Sequence, residues 1–232
     1  MIKEVILYST SSRGRLVNPV EKLIFVLTAV ISSNYFNTPL PFVINSGVFF
    51  FLHLYFKTPF NKVLKLIAEI AGFYFASSLI FIADKNIKGF LIANAKGVVN
   101  SSALTFLIFT TPVDDFLYLM SNTVFLKEIA DLAKTMERFI LLLEDELSLM
   151  ILSAKARGGF DGFLNGIRSS AKIAALLLTD VLNRWKSIDE AISSRCFSGK
   201  IPYSKRKFNR SGKRIILIFL FTVLEIVLAV KF

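Results

Sequence analysis

Two arginines at the ends of long helical stretches are the residues whose type and spacing most favour recognition of another protein. Arg157 closes the apolar stretch LLLEDELSLMILSAKA and is followed by two glycines. Arg195 closes the stretch EAISS and is followed within seven residues by a glycine and a proline. Because Gly and Pro end helices, each arginine is predicted to lie on a terminal helical turn.

The two helix ends resemble each other in sequence, each with a small residue, an arginine, a second small residue and a nearby aromatic. A two-fold dimer presents two identical grooves, which one asymmetric chain could occupy with two near-equivalent helix ends. The planar guanidinium suits such a groove because it makes several directed hydrogen bonds to carboxylates or carbonyls. The simpler alternative is that each arginine gains about 0.3–1 kcal/mol from its helix dipole. The candidate binding residues are Ala156, Arg157, Gly158, Ser194, Arg195 and Cys196.

Residues with catalytic or metal-binding potential are sparse. His53 is the only histidine and Cys196 the only cysteine, so no disulfide or Cys-based metal cluster can form within the chain. One imidazole does not make a metal site. The acidic triplet 144–146 would need further metal ligands or bases facing it to do chemistry, and the sequence indicates none. We interpret the triplet as a solvated charge patch within reach of Arg138. The sequence therefore predicts no catalytic residue, no metal ligand and no cofactor.

The composition is typical of a membrane protein. Hydrophobic residues make up 54% of the 232 positions, 24 of which are phenylalanine, and the mean hydropathy is +0.59. This apolar share exceeds that of an ordinary soluble domain. The net charge of +11 would suit nucleic acid in a soluble protein, but here it indicates cytoplasmic loops and contact with anionic lipid. We therefore expect a lipid bilayer, and no nucleic acid, as a partner.

Five apolar stretches approach the roughly 17 to 25 residues that a helix needs to cross a bilayer. Lys and Arg favour the cytoplasmic ends of spans, and the charges of the first three flanking segments alternate in the order inside, outside, inside. An odd number of spans then places the C-terminus outside. The five stretches begin at Lys22, Pro41, Val63, Gly89 and Arg214.

Residues 111–213 hold most of the charges and no stretch able to span, so they are predicted to be cytoplasmic. Apolar residues from Leu164 to Ile192 recur in alternating steps of three and four, which predicts one long amphipathic helix. The segment 140–154 shows the same pattern. The prediction is an all-α membrane protein with about five transmembrane helices and long amphipathic cytoplasmic helices. Its predicted parts are four membrane helices in 1–110, the cytoplasmic region 111–213 and a last membrane helix in 214–232.

Further motifs accompany the arginines. Asn18, Pro19 and Lys22 are similar to an Asp-Pro-x-x-Lys-Leu motif, and TTPVDDFLYLM is similar to Thr-Thr-x-x-Glu-Asp-Leu. The segment MERFILLLEDELSLMILSAKARGG is similar to Arg-Phe-x-x-x-Leu-x-Glu-Glu running into Ala-Arg-Gly. Over nearly its whole length the chain thus resembles the transmembrane T component of energy-coupling factor (ECF) transporters, the EcfT/CbiQ family of vitamin and metal importers. The second arginine motif departs from the family pattern at Ser194 and Cys196.

The resemblance implies a transmembrane scaffold without chemistry of its own. Two ABC ATPase subunits would bind beneath a prokaryotic cell (inner) membrane, and each motif arginine would dock in a groove of one ATPase. The cytoplasmic helices would be coupling helices that relay ATPase motions to a substrate-binding membrane subunit, an S component or a CbiM-like subunit. Consistently, the sequence contains no G-x-x-x-x-G-K-[ST] loop for ATP phosphates. ATP hydrolysis is thus expected in the partner subunits.

The substrate stays open between a vitamin and a transition-metal ion. The segment SRCFSGKIP is similar to an ending of the cobalt and nickel branch, which favours a metal, while a shared module serving several vitamin-binding partners is equally compatible with the helices. A self-sufficient channel or secondary carrier is the alternative, although no internal repeat of the kind carriers show is evident. Three ionisable residues fall inside predicted spans, where they are functional candidates by default: Glu69, Lys96 and Glu225. We expect Lys96 and Glu225 to form a stabilising pair.

Overall fold

The structure is a computed structural model that describes residues 2–35, 39–194, 208 and 212–231. Within them the chain is helical and contains no strand. It divides into two compact units, one formed by 1–116 with 206–232 and the other by 117–205; we call them the membrane unit and the hairpin unit. The described α-helices are α1 (Ile2–Ser11), α2 (Pro19–Tyr35), α3 (Pro39–Tyr55), α4 (Phe60–Ala83), α5 (Ile87–Thr110), α6 (Val113–Ser121), α7 (Lys127–Ala156), α8 (Phe163–Ser194) and α9 (Gly212–Lys231).

The predicted all-α membrane class is confirmed. Each of the five apolar stretches lies in a helix, namely α2, α3, α4, α5 and α9. Among the described residues, α4 and α5 have the length and composition needed to cross a membrane, and the apolar run Pro41–Tyr55 of α3 is shorter. The number of crossings stays a prediction.

Helix α5 lies at the centre of the membrane unit, where it packs against α1, α2, α3 and α4. The core is dominated by phenylalanine rings. Phe106 of α5 lies 6.0 Å from Phe49 of α3, centroid to centroid, and Phe25 of α2 lies 5.5 Å from Phe49 and 4.8 Å from Phe221 of α9. Aromatic pairs at these spacings add to the free energy gained from burying their area, so the rings join four helices into one core.

Within the membrane unit, exposed polar contacts hold helix α1 to α4. The ammonium of Lys62 on α4 donates a hydrogen bond to the carboxylate of Glu4 and lies 4.7 Å from the ring centroid of Tyr8. The hydrogen bond, followed by the charge of the same lysine, lowers the pKa of Glu4 below its usual value. Helix α1 was not predicted from the sequence.

The expected pair between Lys96 and Glu225 is wrong. Lys96 Nζ donates to the backbone oxygen of Asn34 at 2.9 Å, where it caps the last turn of α2. The Glu225 carboxylate is buried and faces Ser32 and Asn45 instead. Spacing along two separate spans could not reveal this difference, because it depends on how α2, α5 and α9 are rotated about their axes.

His53 joins α3 to α5 and to the turn that follows α3. Its Nδ1 lies 3.0 Å from the hydroxyl of Thr58, and its Nε2 lies 3.3 Å from the backbone oxygen of Ser102. A carbonyl oxygen only accepts, so Nε2 carries the proton. The single hydroxyl proton of Thr58 is shared between Nδ1 and the backbone oxygen of His53, which lies 3.2 Å from the hydroxyl. Both ring nitrogens therefore have protein partners.

The hairpin unit consists chiefly of α7 and α8, which pack against each other. The predicted amphipathic helix from Leu164 to Ile192 is confirmed as α8. Phe139 of α7 and Trp185 of α8 stack with their centroids 6.4 Å apart. The acidic triplet is only partly a solvated patch, because Glu146 pairs with Arg184 across the two helices.

Candidate functional site

The first arginine motif closes α7 with the geometry that its two glycines predict. Ala156 is the last residue of α7, and Arg157 occupies the C-cap position. The amide of Gly159 donates to the carbonyl of Ala154 at 2.8 Å, and the amide of Gly158 donates to the carbonyl of Lys155 at 3.0 Å. These two bonds satisfy carbonyls that the end of a helix leaves open.

Gly158 has a backbone conformation that other residues rarely adopt. Its φ is +69°, and a Cβ at this position would meet Oδ2 of Asp161 at 2.8 Å. The backbone angle therefore favours a glycine, whereas the Asp161 carboxylate is the end of a flexible side chain and can shift. The sharp turn fixes where the chain leaves α7, and it thereby fixes the orientation of the Arg157 backbone.

The turn is tied to the start of α8. The hydroxyl of Ser169 donates to the backbone oxygen of Gly159 at 2.5 Å, and the side-chain amide of Asn165 donates to the backbone oxygen of Asp161 at 3.0 Å. Two α8 side chains thus hold the loop from within the hairpin unit. Arg157 therefore lies on a turn that is held in place by these two hydrogen bonds.

The Arg157 side chain is exposed. Its Nε donates to the backbone oxygen of Ser153 at 3.2 Å, which holds the stem along α7. Within the described part of the chain, the two terminal nitrogens have no protein acceptor. Up to four N–H donors therefore have no acceptor in the described part of the chain, so the side chain is held at its base and unbonded at its tip.

The second motif is described only at its first residue. Ser194 is the last residue of α8, is exposed, and donates from its hydroxyl to the backbone oxygen of Ala191 at 3.0 Å. Arg195 and Cys196 lie outside the described residues, as do the residues that follow them up to Lys207. The prediction that Arg195 lies on a terminal turn therefore stays a prediction.

The motif that begins at Asn18 starts α2 and ties it to the end of α5. The side-chain oxygen of Asn18 accepts from the amide of Val20 at 3.0 Å, and Pro19 occupies the first helical position, as helix starts favour. Lys22 is 5% exposed, and its ammonium donates to the backbone oxygens of Gly14 at 3.1 Å and Thr110 at 2.6 Å. The motif lysine thus caps the last residue of α5.

The TTPVDD motif contributes the second half of the same cluster. Thr110 provides the carbonyl that Lys22 reaches, and Asp115, 1% exposed, lies with its Oδ2 3.6 Å from Nε of Arg15. Two motifs that are about ninety residues apart in the sequence therefore meet in space. Both motifs are evident in the sequence through the family resemblance, whereas nothing in the sequence indicates that they contact each other.

The comparison with known families agrees with these motifs. The family model described as CbiQ, cobalt transport protein, matches residues 7–207. The chain belongs to the CbiQ family. An uncharacterized protein of Methanocaldococcus jannaschii is 26% identical over 243 residues, covering 94% of this chain and 90% of the relative.

Membership of the CbiQ family confirms the predicted resemblance to EcfT/CbiQ proteins. It makes this chain a membrane protein of cobalt transport and a transporter component. The matched residues include both arginine motifs as well as the Asn18 and TTPVDD motifs. All the features that carried the resemblance thus lie within the part of the chain that the family shares.

Proposed function

We propose that this CbiQ-family protein is the scaffold and energy-coupling subunit of an ECF-type ABC importer. In this proposal it crosses the prokaryotic cell membrane several times, with residues 111–213 in the cytoplasm as the coupling region and residues 1–110 and 214–232 providing the membrane helices. Two ABC ATPase subunits bind the coupling region, and an S component or CbiM-like subunit binds the substrate. The chain itself carries out no catalysis.

The observation that carries the proposal is the state of Arg157. Helix α7 ends in a turn braced by its own backbone bonds and by Ser169, while the guanidinium at its tip is exposed. A side chain whose role was only to cap its helix would direct its donors at the last carbonyls. Arg157 directs only its Nε at the last turn, to the carbonyl of Ser153, and the amides of Gly158 and Gly159 serve two further carbonyls. The two terminal nitrogens of Arg157 have no acceptor among the described residues, so their donors are available to a partner.

The shape of the hairpin unit suits transmission of motion. Helices α7 and α8 have 30 and 32 residues, which corresponds to about 45 to 48 Å each at about 1.5 Å per residue. The stacked Phe139 and Trp185 rings and the Glu146–Arg184 pair join the two helices. A long, cross-linked helix pair with a cationic tip can carry a displacement from a docked ATPase along its length.

Cobalt is the substrate that the family description names, and the proposal includes the chemically similar nickel ion. In this proposal the ion is bound by the partner membrane subunit, because His53, the only histidine of the chain, is already engaged by Thr58 and Ser102. A vitamin carried by a separate S component is the alternative cargo. Uptake measured with radioactive cobalt and nickel in cells that express the complete transporter separates the two.

Replacement of Arg157 tests the docking role. The full chain, co-expressed with candidate partner ABC ATPases, is expected to form a stable complex in detergent. Arg157→Ala is expected to weaken that complex by about 2 kcal/mol, roughly thirtyfold in affinity, while Arg157→Lys recovers only part of the loss because an ammonium lacks the planar fork. Binding is measured by titrating the ATPases onto the immobilised membrane protein.

Arg168→Ala is the matched control, since Arg168 is an exposed arginine on α8 of the same hairpin unit. It should leave both the complex and ATP-driven uptake unchanged. If the double variant Arg157→Ala, Arg195→Ala keeps the wild-type affinity and wild-type uptake, the two arginines are helix caps and the docking proposal fails. Uptake by the chain without any ATPase would instead support a secondary carrier.

A further inference from the structure

A buried carboxylate lies where three helices of the membrane unit come together. Glu225 of α9 is 1% exposed, Asn45 of α3 is fully buried, and Ser32 of α2 is 9% exposed. Ser32 and Asn45 are the side chains that face the Glu225 carboxylate. Each residue comes from a different helix, so the cluster exists only in the folded bundle.

The polar atoms of this cluster face one another, and no hydrogen bond of ordinary geometry joins them. Within the described residues, both carboxylate oxygens of Glu225 and both side-chain amide atoms of Asn45 lack a hydrogen-bond partner. The Ser32 hydroxyl donates its proton to the backbone oxygen of Ala29 at 3.0 Å, which leaves the lone pairs of its oxygen free. Orphaned buried polar atoms are rare in folded proteins, and each one requires an explanation.

The register of α2 and α9 places the cluster in the interior of the bundle. Near the start of both helices, Nε of Arg214 lies 3.5 Å from Oε2 of Glu21. Glu225 follows Arg214 by 11 positions (225 − 214), and Ser32 follows Glu21 by the same number (32 − 21). The helices therefore run parallel in constant register, and the cluster lies about 16 Å further along both at about 1.5 Å per residue.

A lone carboxyl at this depth must either hold a proton or face a compensating cation. Burying an ionised group in a bilayer costs about 2.5–3.5 kcal/mol even on the insertion scale that gives the lowest values, and Glu225 has no ion pair among the described residues. Arg214 cannot provide the charge for Glu225, because it pairs with Glu21 near the start of α2 and α9. The four available oxygens are two from Glu225, the side-chain oxygen of Asn45 and the hydroxyl of Ser32.

We propose that Glu225, Asn45 and Ser32 form a binding site for an alkali cation, with Na⁺ as the species to test first. Oxygen donors of this kind suit hard cations. One carboxylate balances one positive charge, whereas a divalent ion would leave an uncompensated charge among apolar helices. A proton would engage a single acceptor, but an alkali cation can bind all four oxygens. The bound ion would tie α9 to α2 and α3.

This site is separate from the cobalt cargo and from the arginine motifs. Its three residues belong to the membrane unit, while Arg157 belongs to the hairpin unit. Loss of the ion is expected to loosen α9 without altering the docking tip. Failure of the alkali site would therefore leave the coupling proposal intact, and failure of the coupling proposal would leave the alkali site intact.

Carbodiimide labelling in membranes tests the proposal on the complete protein. Dicyclohexylcarbodiimide is an apolar reagent that modifies protonated carboxyls, so a carboxylate that binds Na⁺ is protected. In membranes that contain the full chain, Na⁺ at ten times its dissociation constant should slow labelling of Glu225 about tenfold relative to choline at equal ionic strength. Mass spectrometry of the labelled peptides gives the rate. Glu69, exposed on α4, is the internal control and should label equally in both salts.

Equal labelling of Glu225 in Na⁺, K⁺ and choline overturns the proposal and assigns a protonated carboxyl instead. If Glu225 does not label in choline, the Na⁺ dependence of thermal unfolding decides. Na⁺ should raise the Tm of the wild type and of Glu69→Gln, but not that of Glu225→Gln. Ser32→Ala, a milder change, should shift the half-saturating Na⁺ concentration upward. An equal rise in Tm for the wild type and Glu225→Gln rejects the site.

Discussion

Two cations of this chain, Lys22 and Arg157, both lie at helix ends, and their surroundings differ in every respect. Lys22 is buried in the membrane unit, and its ammonium donates to two backbone oxygens from distant parts of the sequence. Arg157 is exposed in the hairpin unit, and among the described residues its only side-chain hydrogen bond holds the base of the side chain to its own helix. The Lys22 ammonium binds acceptors within the fold, whereas the terminal nitrogens of Arg157 can bind a partner.

The difference shows how a motif residue that stabilises the fold can be told from one that recognises a partner. A buried charge that donates to buried backbone oxygens contributes to the protein's own stability, and its removal leaves those acceptors unpaired. An exposed charge on a braced turn contributes little to stability, because water already solvates it. Both residues belong to motifs of the same family, so membership alone does not separate the two roles.

Replacement of Lys22 should have the largest effect on the protein itself. Lys22→Met keeps the length of the stem but leaves the backbone oxygens of Gly14 and Thr110 without their buried donor, which should cost about 2–4 kcal/mol of folding stability. The measurement is the Tm of the purified protein in detergent. Lys88→Met, at an exposed position near the start of α5, should leave the Tm unchanged. If Lys22→Met also leaves it unchanged, the contrast with Arg157 is lost.

An intermediate effect is expected at the turn beneath Arg157. Gly158→Ala places a Cβ at a φ of +69° and against Asp161, which should cost about 1–2 kcal/mol and reorient the arginine. Stability and ATPase affinity should therefore fall together. Gly166→Ala is the matched control, since Gly166 lies within α8 and its nearest neighbour would be 3.9 Å from a new Cβ. That variant should gain about 0.5–1 kcal/mol from higher helix propensity.

The smallest effect is expected for the ion pair that joins α7 to α8. Glu146 and Arg184 are both partly exposed, so a double-mutant cycle with Glu146→Gln and Arg184→Gln should give a coupling energy of about 0.2–1 kcal/mol. Chemical unfolding of the four proteins provides the values. A coupling energy comparable to the loss for Lys22→Met would mean that the hairpin unit, like the membrane unit, depends on its charges for its fold.

Periodicity and helix-breaking residues were enough to locate the main helices. The apolar repeat from Leu164 predicted α8, and the two glycines after Arg157 predicted where α7 ends. Such features are local, because a helix is set by residues three or four positions apart and by its caps. The same local reasoning placed Arg157 on a terminal turn.

Contacts between distant segments could not be predicted in the same way. The acceptor of Lys22 on Thr110 lies 88 positions along the chain, and the partner of Glu146 is Arg184 rather than the nearby Arg138. The expected Lys96–Glu225 pair was wrong for the same reason. Which side chains meet depends on the rotation of each helix about its axis, and charge type and hydropathy leave several rotations open.

The position of α9 has a consequence for how the protein is made. Its partner helix α2 is translated early, yet Phe221, Arg214 and Glu225 leave the ribosome only after the whole hairpin unit has been synthesised. Until α9 is synthesised, Phe25 and Glu21 of α2 lack the contacts that α9 makes with them. Any nascent chain that is cut short within the hairpin unit would therefore present an unfinished bundle to membrane chaperones and proteases.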